Sequence, residues 1–138
     1  MDSELLTRVE RLVKLQYDEL ECWVHSWPHI QYVVERAKEL AELENLNPEP
    51  CMIAAYCHDL GRIEEERMRK NGETALPHAL LSIAPTINIL NEVGISGIDF
   101  SKIVEAVTIH SYRVYEGKNN VARILQDADK MSGLCLWE

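Results

Sequence analysis

The segment Met52–Gly61 reads Met-Ile-Ala-Ala-Tyr-Cys-His-Asp-Leu-Gly, apolar almost to its end, where His58 and Asp59 stand side by side. A stretch this hydrophobic belongs in a core, and ionisable groups in a core are costly unless paired or bound to a cation. Any fold open to the chain must bury this segment and supply partners for its polar end.

The chain offers enough material for one core. Its 138 residues are 46% hydrophobic and 27% charged, which predicts a single globular domain over 1–138 that needs no covalent staples. The formal net charge of −9 argues against binding a nucleic-acid duplex, whose backbone demands a basic footprint. It does not exclude a small phosphorylated ligand, because a bound cation reverses the local field. Cys22, Cys51, Cys57 and Cys135 form no CxxC pair; three of them lie in apolar surroundings and read as small core residues of a reducing compartment. No apolar run reaches the roughly 18 residues of a membrane span, and the charged N-terminus is unlike a signal peptide. The expectation is a cytoplasmic protein with no membrane partner; the sequence leaves its oligomeric state open.

Hydrophobic periodicity points to an all-α bundle of about six helices. Leu5, Leu6, Val9, Leu12, Val13 and Tyr17 mark the first, with Asp2 or Ser3 as its cap. The second starts near Pro28 and carries Ile30, Val33, Val34, Ala37, Leu40 and Ala41 on one stripe. Asn47-Pro48-Glu49-Pro50 breaks it, and a third helix runs from about Pro50 to Leu60, with Gly61 placed to end it. Residues 62–75 are charged and close on the turn signal Asn71-Gly72. A fourth helix covers about 76–93, kinked or split by Pro85. Asp99 or Ser101 is a candidate cap for the fifth, and the sixth runs from about Asn120 past Met131. No β-type alternation, internal repeat or low-complexity linker interrupts this pattern.

On these helices the histidines fall on apolar faces. His29 precedes Val33 by four residues, His110 extends the Ile103–Val107 stripe by one turn, and Asp129 follows Leu125 by four. With His58 and Asp59 they face the core from separate elements, as ligands built into a bundle interior do. One such histidine alone is more often a structural residue; the set together points to a metal. Nitrogen and oxygen donors without a convergent thiolate suit iron, manganese, zinc, nickel, cobalt or magnesium.

The order His29 … His58-Asp59 … Asp129 resembles the signature of the HD-domain superfamily of metal-dependent phosphohydrolases. The contexts are similar too: HIQYVVERAKELA, AAYCHDLGR and ILQDADKMSGL, over about residues 25–135. The resemblance implies a helical fold with one metal held by His29, His58, Asp59 and Asp129, leaving Asp127 behind the ligands or on the helix surface. Some branches carry two more histidines and bind two metals bridged by the aspartate of the doublet. PHALLSIAPTINIL and IVEAVTIHSY resemble the matching helices, so His78 and His110 are candidates for a second position. Their other reading is a helix-start residue and a polar group of the wall. His25 fits no ligand position and is expected at the surface or rim. The Gly-Tyr-Pro signature of the branch that cleaves cyclic-di-GMP is missing, and the sequence given stops nine residues after Asp129, where many relatives add helices.

A divalent metal with an open coordination position lowers the pKa of bound water and polarises a phosphoryl oxygen. The expected activity is therefore hydrolysis of a small phosphate ester, a nucleotide among the candidates, by attack of metal-bound hydroxide. Asp59 is the candidate for orienting or deprotonating that water. Arg62 is the candidate for holding a non-bridging phosphate oxygen, with Lys130 a lesser one. Arg67, Arg69 and Lys70 read instead as a solvated face, since Glu65–Arg69 and Glu66–Lys70 are ordinary i,i+4 pairs. Two other classes remain open: an HD-type di-iron oxygenase using the same six ligands, and a non-catalytic metal-binding regulatory domain.

Overall fold

The computed structural model describes residues 3–18, 23–111 and 115–136, with side chains outside the description at 3, 23–26 and 133–136. Those residues form α1 (Ser3–Tyr17), α2 (Trp23–Leu43), α3 (Pro48–Cys57), α4 (Gly61–Lys70), α5 (His78–Leu81), α6 (Ile83–Glu92), α7 (Gly97–Ile109) and α8 (Asn120–Leu136), with no strand among them. The all-α expectation holds. None of these helices is long and apolar enough to cross a membrane.

The hydrophobic α3 is the hub, with α1, α2, α7 and α8 all packed on it. Ile53, Ala54, Ala55 and Cys57 are buried around its whole circumference, and the paired alanines let neighbouring helices approach closely. Asn47 caps α3 by accepting a hydrogen bond from the Glu49 amide at 3.1 Å, with Pro48 in the first turn, where its missing N–H costs nothing. Asn119 does the same for α8: its Oδ1 accepts from the amides of Val121 and Ala122, while its Nδ2 donates to Lys102 O and Glu105 Oε1 on α7. Cys51 and Cys57 are free and buried, as expected of core cysteines.

The departures from about six helices have local causes. Helix α2 begins at Trp23, so Pro28 lies inside it. Helix α7 begins at Gly97, and Asp99 sits in its first turn rather than capping it. The fourth expected helix is split at Ser82 into α5 and α6, which places Pro85 third in α6, where its lack of an N–H is tolerated. The largest departure is at Gly61. It ends nothing: after a turn at 58–60 the chain starts α4 there, and the charged stretch, to which the sequence pattern assigns no helix, is helical to Lys70.

Gly61 acts through its size. A Cβ placed on it would lie 2.1 Å from the His78 carbonyl oxygen and 2.6 Å from the Ser82 nitrogen, both backbone atoms. The missing side chain lets α5 press against the α3–α4 elbow. Buried Ser82 locks the contact: its hydroxyl oxygen accepts from the Gly61 amide at 2.7 Å and faces the carbonyls of His78 at 2.7 Å and His58 at 3.1 Å. His58, Asp59 and His78 are thereby brought to one place although 20 residues separate the first from the last.

Candidate metal centre

Five elements contribute to one cluster. His29 comes from α2, His58 and Asp59 from the α3–α4 turn, His78 from the start of α5, His110 from the end of α7 and Asp129 from α8. His58 and His110 occupy equivalent positions, each one residue past a helix. There each Nδ1–H donates at 2.6 Å to the carbonyl three residues back, Ala55 and Val107 respectively, satisfying last-turn carbonyls that lack helical partners. A carbonyl can only accept, so both rings carry a proton on Nδ1 and turn Nε2 inward, a nitrogen that is free to ligate whenever the ring is neutral. His29 shares its Nδ1 with Ser132 Oγ at 2.7 Å.

The inward atoms divide into two groups about Asp59. Its Oδ2 lies 3.3 Å from His29 Nε2 and 3.4 Å from His58 Nε2. Asp129 Oδ1 closes that group at 3.3 and 3.5 Å from the same two nitrogens. The other oxygen of Asp59, Oδ1, lies 3.3 Å from His78 Nε2 and 3.5 Å from His110 Nε2, which are themselves 3.3 Å apart. Ligands about 2.0–2.1 Å from one tetrahedral ion stand about 3.4 Å from one another, so the spacings fit a cation. Two further observations agree. His58 Nε2 is fully buried and makes no hydrogen bond, and imidazole nitrogens facing one another as in His78 and His110 need a proton or a cation between them. The six residues expected from sequence are thus brought together, in two groups that share one carboxylate.

Exposure shows where the cluster opens. The side chains of His58, Asp59 and His110 are at most 5% exposed, whereas His29 and His78 are 21% and Asp129 30%. An apolar cavity of about 400 Å³, lined by Leu60, Ile63, Leu81 and Pro85 among others, includes none of the six donors. Electrostatics match a site built for positive charge. Burial pulls His29 down, but Asp129 and Asp59 outweigh it and lift the imidazole to about 9. Burial also pulls His58 down, but Asp59 and Asp129 outweigh it and raise that imidazole. Burial would raise Asp59, yet His58, His110, His29 and His78 hold it well below the usual carboxylate range, and His29 and His58 do the same for Asp129.

Arg62, in the first turn of α4, is half-exposed with Nε 3.4 Å from Asp59 Oδ2. Lys130 is exposed beside Asp129, and no ion pair joins it to the cluster among the described residues; Asp127 is exposed on the same helix. The side chain of His25 lies outside the described residues. Arg67, Arg69 and Lys70 are exposed and paired with Glu64, Glu65 and Glu66. Glu65 itself departs from the solvated-face reading. It is 9% exposed, with Oε1 3.8 Å from Arg62 and Oε2 4.0 Å from His78 Nδ1. The ladder Asp59, Arg62, Glu65, Arg69 at i+3 and i+4 spacing is the signal that identifies it, once a helix is continued past Gly61.

Proton and cation compete for this cluster, with a measurable consequence in chelator-treated protein. His29 is raised from 6.5 to about 9 on folding, so its contribution to stability is full below pH 6.5 and lost as pH rises through about 9. Asp129 is lowered from 3.8, so its contribution is present above that pH and lost on acidification. Chelated protein is expected to melt highest between about pH 4 and 6.5 and lower at pH 9. Loading a divalent cation should reverse the alkaline trend, because binding displaces the proton. Thermal melts with and without chelator, repeated on His29→Gln, check this; a slope that survives in His29→Gln assigns it to other groups.

The comparisons with known proteins agree with this geometry. No curated protein matches the sequence. The crystal structure of a predicted HD superfamily hydrolase from an uncultured Thermotogales bacterium superimposes with a TM-score of 0.75 at 22% identity, over 91% of this chain and 66% of that one. It therefore shares the fold, and this chain spans about two thirds of its length. The family model described as HD domain matches residues 27–134, a span that runs from just before His29 to just beyond Asp129. The chain belongs to the HD-domain family.

Proposed function

We propose that the protein is a metal-dependent phosphohydrolase that cleaves a small phosphate ester, with a nucleotide among the candidate substrates. The observation that carries this reading is the two-sided use of Asp59, one oxygen facing His29 and His58 and the other facing His78 and His110, with Arg62 beside it. His29, His58, Asp59 and Asp129 would hold one divalent cation, and Asp59, His78 and His110 a second. Cations there supply Lewis acidity toward a phosphoryl oxygen and toward water.

The protein's own groups do the rest. Asp59, kept ionised by its imidazole neighbours, orients the attacking water and can take its proton. Arg62, at the open side, pairs with a non-bridging phosphate oxygen; its half-exposed guanidinium can turn from Asp59 to the substrate without burying new charge. Nearby side chains that could attack phosphorus directly are disabled. The Cys57 thiol is buried and pushed up to about 12, and the Ser82 hydroxyl is engaged with three backbone groups. Positioning and charge neutralisation are what phosphoryl transfer most requires.

The test is phosphate release by metal-loaded protein across nucleotides, sugar phosphates and cyclic nucleotides. Arg62→Ala should lower turnover by about 10²-fold while metal content stays unchanged or rises, since a neighbouring positive charge has been removed. Arg62→Lys should recover part of the loss as a point charge without the bidentate fork. Full activity in Arg62→Ala removes that residue from the site. Dioxygen uptake by iron-loaded protein without phosphate release supports the oxygenase reading, and full occupancy with neither activity supports a regulatory domain.

A further inference from the structure

Four imidazoles face the cluster, and three have Nδ1 held close by a neutral group: His29 by Ser132 Oγ, His58 by Ala55 O and His110 by Val107 O, all at 2.6–2.7 Å. His78 differs. Its Nδ1 faces the carboxylate of Glu65, with Oε2 at 4.0 Å. Glu65 is 9% exposed on α4, and its other oxygen lies 3.5 Å from Arg69 and 3.8 Å from Arg62.

We propose that Glu65 is a positioning residue for His78, fixing that imidazole as a ligand and thereby setting the affinity of the Asp59–His78–His110 cation position. Ligating histidines commonly donate their second ring N–H to a carboxylate or carbonyl, which fixes the tautomer and raises ligand basicity. His78 is the first residue of α5, a helix of only four residues, so its ring lacks the helix-end carbonyl that holds His58 and His110. A carboxylate supplied by α4 fills that role. With a cation at that position, the proton would sit on Nδ1 toward Glu65, leaving the lone pair on Nε2, the atom 3.3 Å from Asp59 Oδ1, free for the cation. A cation on Nε2 would make Nδ1–H a stronger donor toward the Glu65 carboxylate, 4.0 Å away. Glu65 also ties this position to Arg62, so the group that meets phosphate and the ring that meets the cation share one anchor.

This inference rests on the two-position reading above, and the experiment separates the two. Mn²⁺ alone is titrated by equilibrium dialysis into chelator-stripped full-length protein, the parent beside Glu65→Ala, Glu65→Gln and Glu64→Gln. Glu64 pairs with Arg67 at the surface and serves as the control for loss of one α4 carboxylate. The parent should bind two equivalents. Glu65→Ala should weaken one of them by about 10- to 100-fold and leave the other unchanged, while Glu65→Gln, still an acceptor but uncharged, should fall between. Glu64→Gln should match the parent. The retained equivalent reports an intact fold, since its ligands come from α2, the α3–α4 turn and α8. One equivalent in the parent overturns the two-position reading and the Glu65 assignment together. Two equivalents in the parent with unchanged constants in Glu65→Ala overturn the Glu65 assignment alone, as does loss of both equivalents in Glu65→Gln.

Discussion

Asp59→Ala is expected to reduce phosphate release below detection and to remove tight metal binding at both positions at once. The carboxylate is shared, and each oxygen stands 3.3–3.5 Å from two imidazole nitrogens. Its loss leaves His110 without that anionic partner and His78 with Glu65 alone, and, among the described residues, it leaves Asp129 as the carboxylate facing His29 and His58. No other single substitution among the six donors acts on both groups. His110→Ala or His78→Ala should lose one equivalent of metal, and Asp129→Ala should weaken the other. Asp59→Asn sharpens the test because it preserves shape. One amide oxygen remains as a donor, and the amide nitrogen faces the other pair of rings, so one equivalent should survive at reduced affinity. Metal content measured alongside phosphate release distinguishes a lost ligand from a lost fold, and far-UV circular dichroism checks the latter. Full turnover in Asp59→Ala would sink the hydrolase mechanism.

Most of the cluster was legible in the sequence because its residues continue apolar stripes whose direction helical periodicity fixes. His29 sits one residue before buried Ile30 and four before Val33; His110 is one turn beyond Ala106 and Val107; Asp129 adjoins Ala128. Where the stripe faces the core, so does the donor. The illegible parts are those in which tertiary contact overrides local preference. Glycine after a run of helix formers reads as a terminator because of its freedom at positive φ, yet Gly61 serves by having no side chain, which only the position of α5 reveals. With the helix ended too early, 62–75 reads as surface and Glu65 becomes one member of a charge pair. Pro28 is similar. It suits a first turn, but it also fits inside α2, where packing of the following stripe outweighs one missing backbone bond. Asn119, by contrast, adjoins the α8 start expected near Asn120, and the structure adds that its amide ties that start to α7.

Gly61→Ala sets two effects of opposite sign against each other, and the close-contact account of the elbow depends on which wins. By propensity alone, alanine inside a helix is favoured over glycine by about 1 kcal/mol, and Gly61 is the first residue of α4. By contact, the new methyl would meet the His78 carbonyl oxygen at 2.1 Å, the Ser82 nitrogen at 2.6 Å and the Leu81 carbonyl carbon at 2.8 Å. These are backbone atoms that cannot swing aside as a side chain could, so α5 must retreat as a unit. Overpacking of this kind typically costs about 1–3 kcal/mol, and retreat also breaks the Ser82 bridge and leaves the buried Gly61 amide short of its acceptor, roughly another 1–3 kcal/mol. The expected result is net destabilisation in a denaturant melt. It should be accompanied by selective loss of the cation position that uses His78, while the His29–His58–Asp129 position is retained. Ser82→Ala removes the same bridge without adding bulk and should be milder on both readouts. If Gly61→Ala proves more stable than the parent and keeps both equivalents of metal, propensity has won. The close approach of α5 would then not be what holds His78 in the cluster.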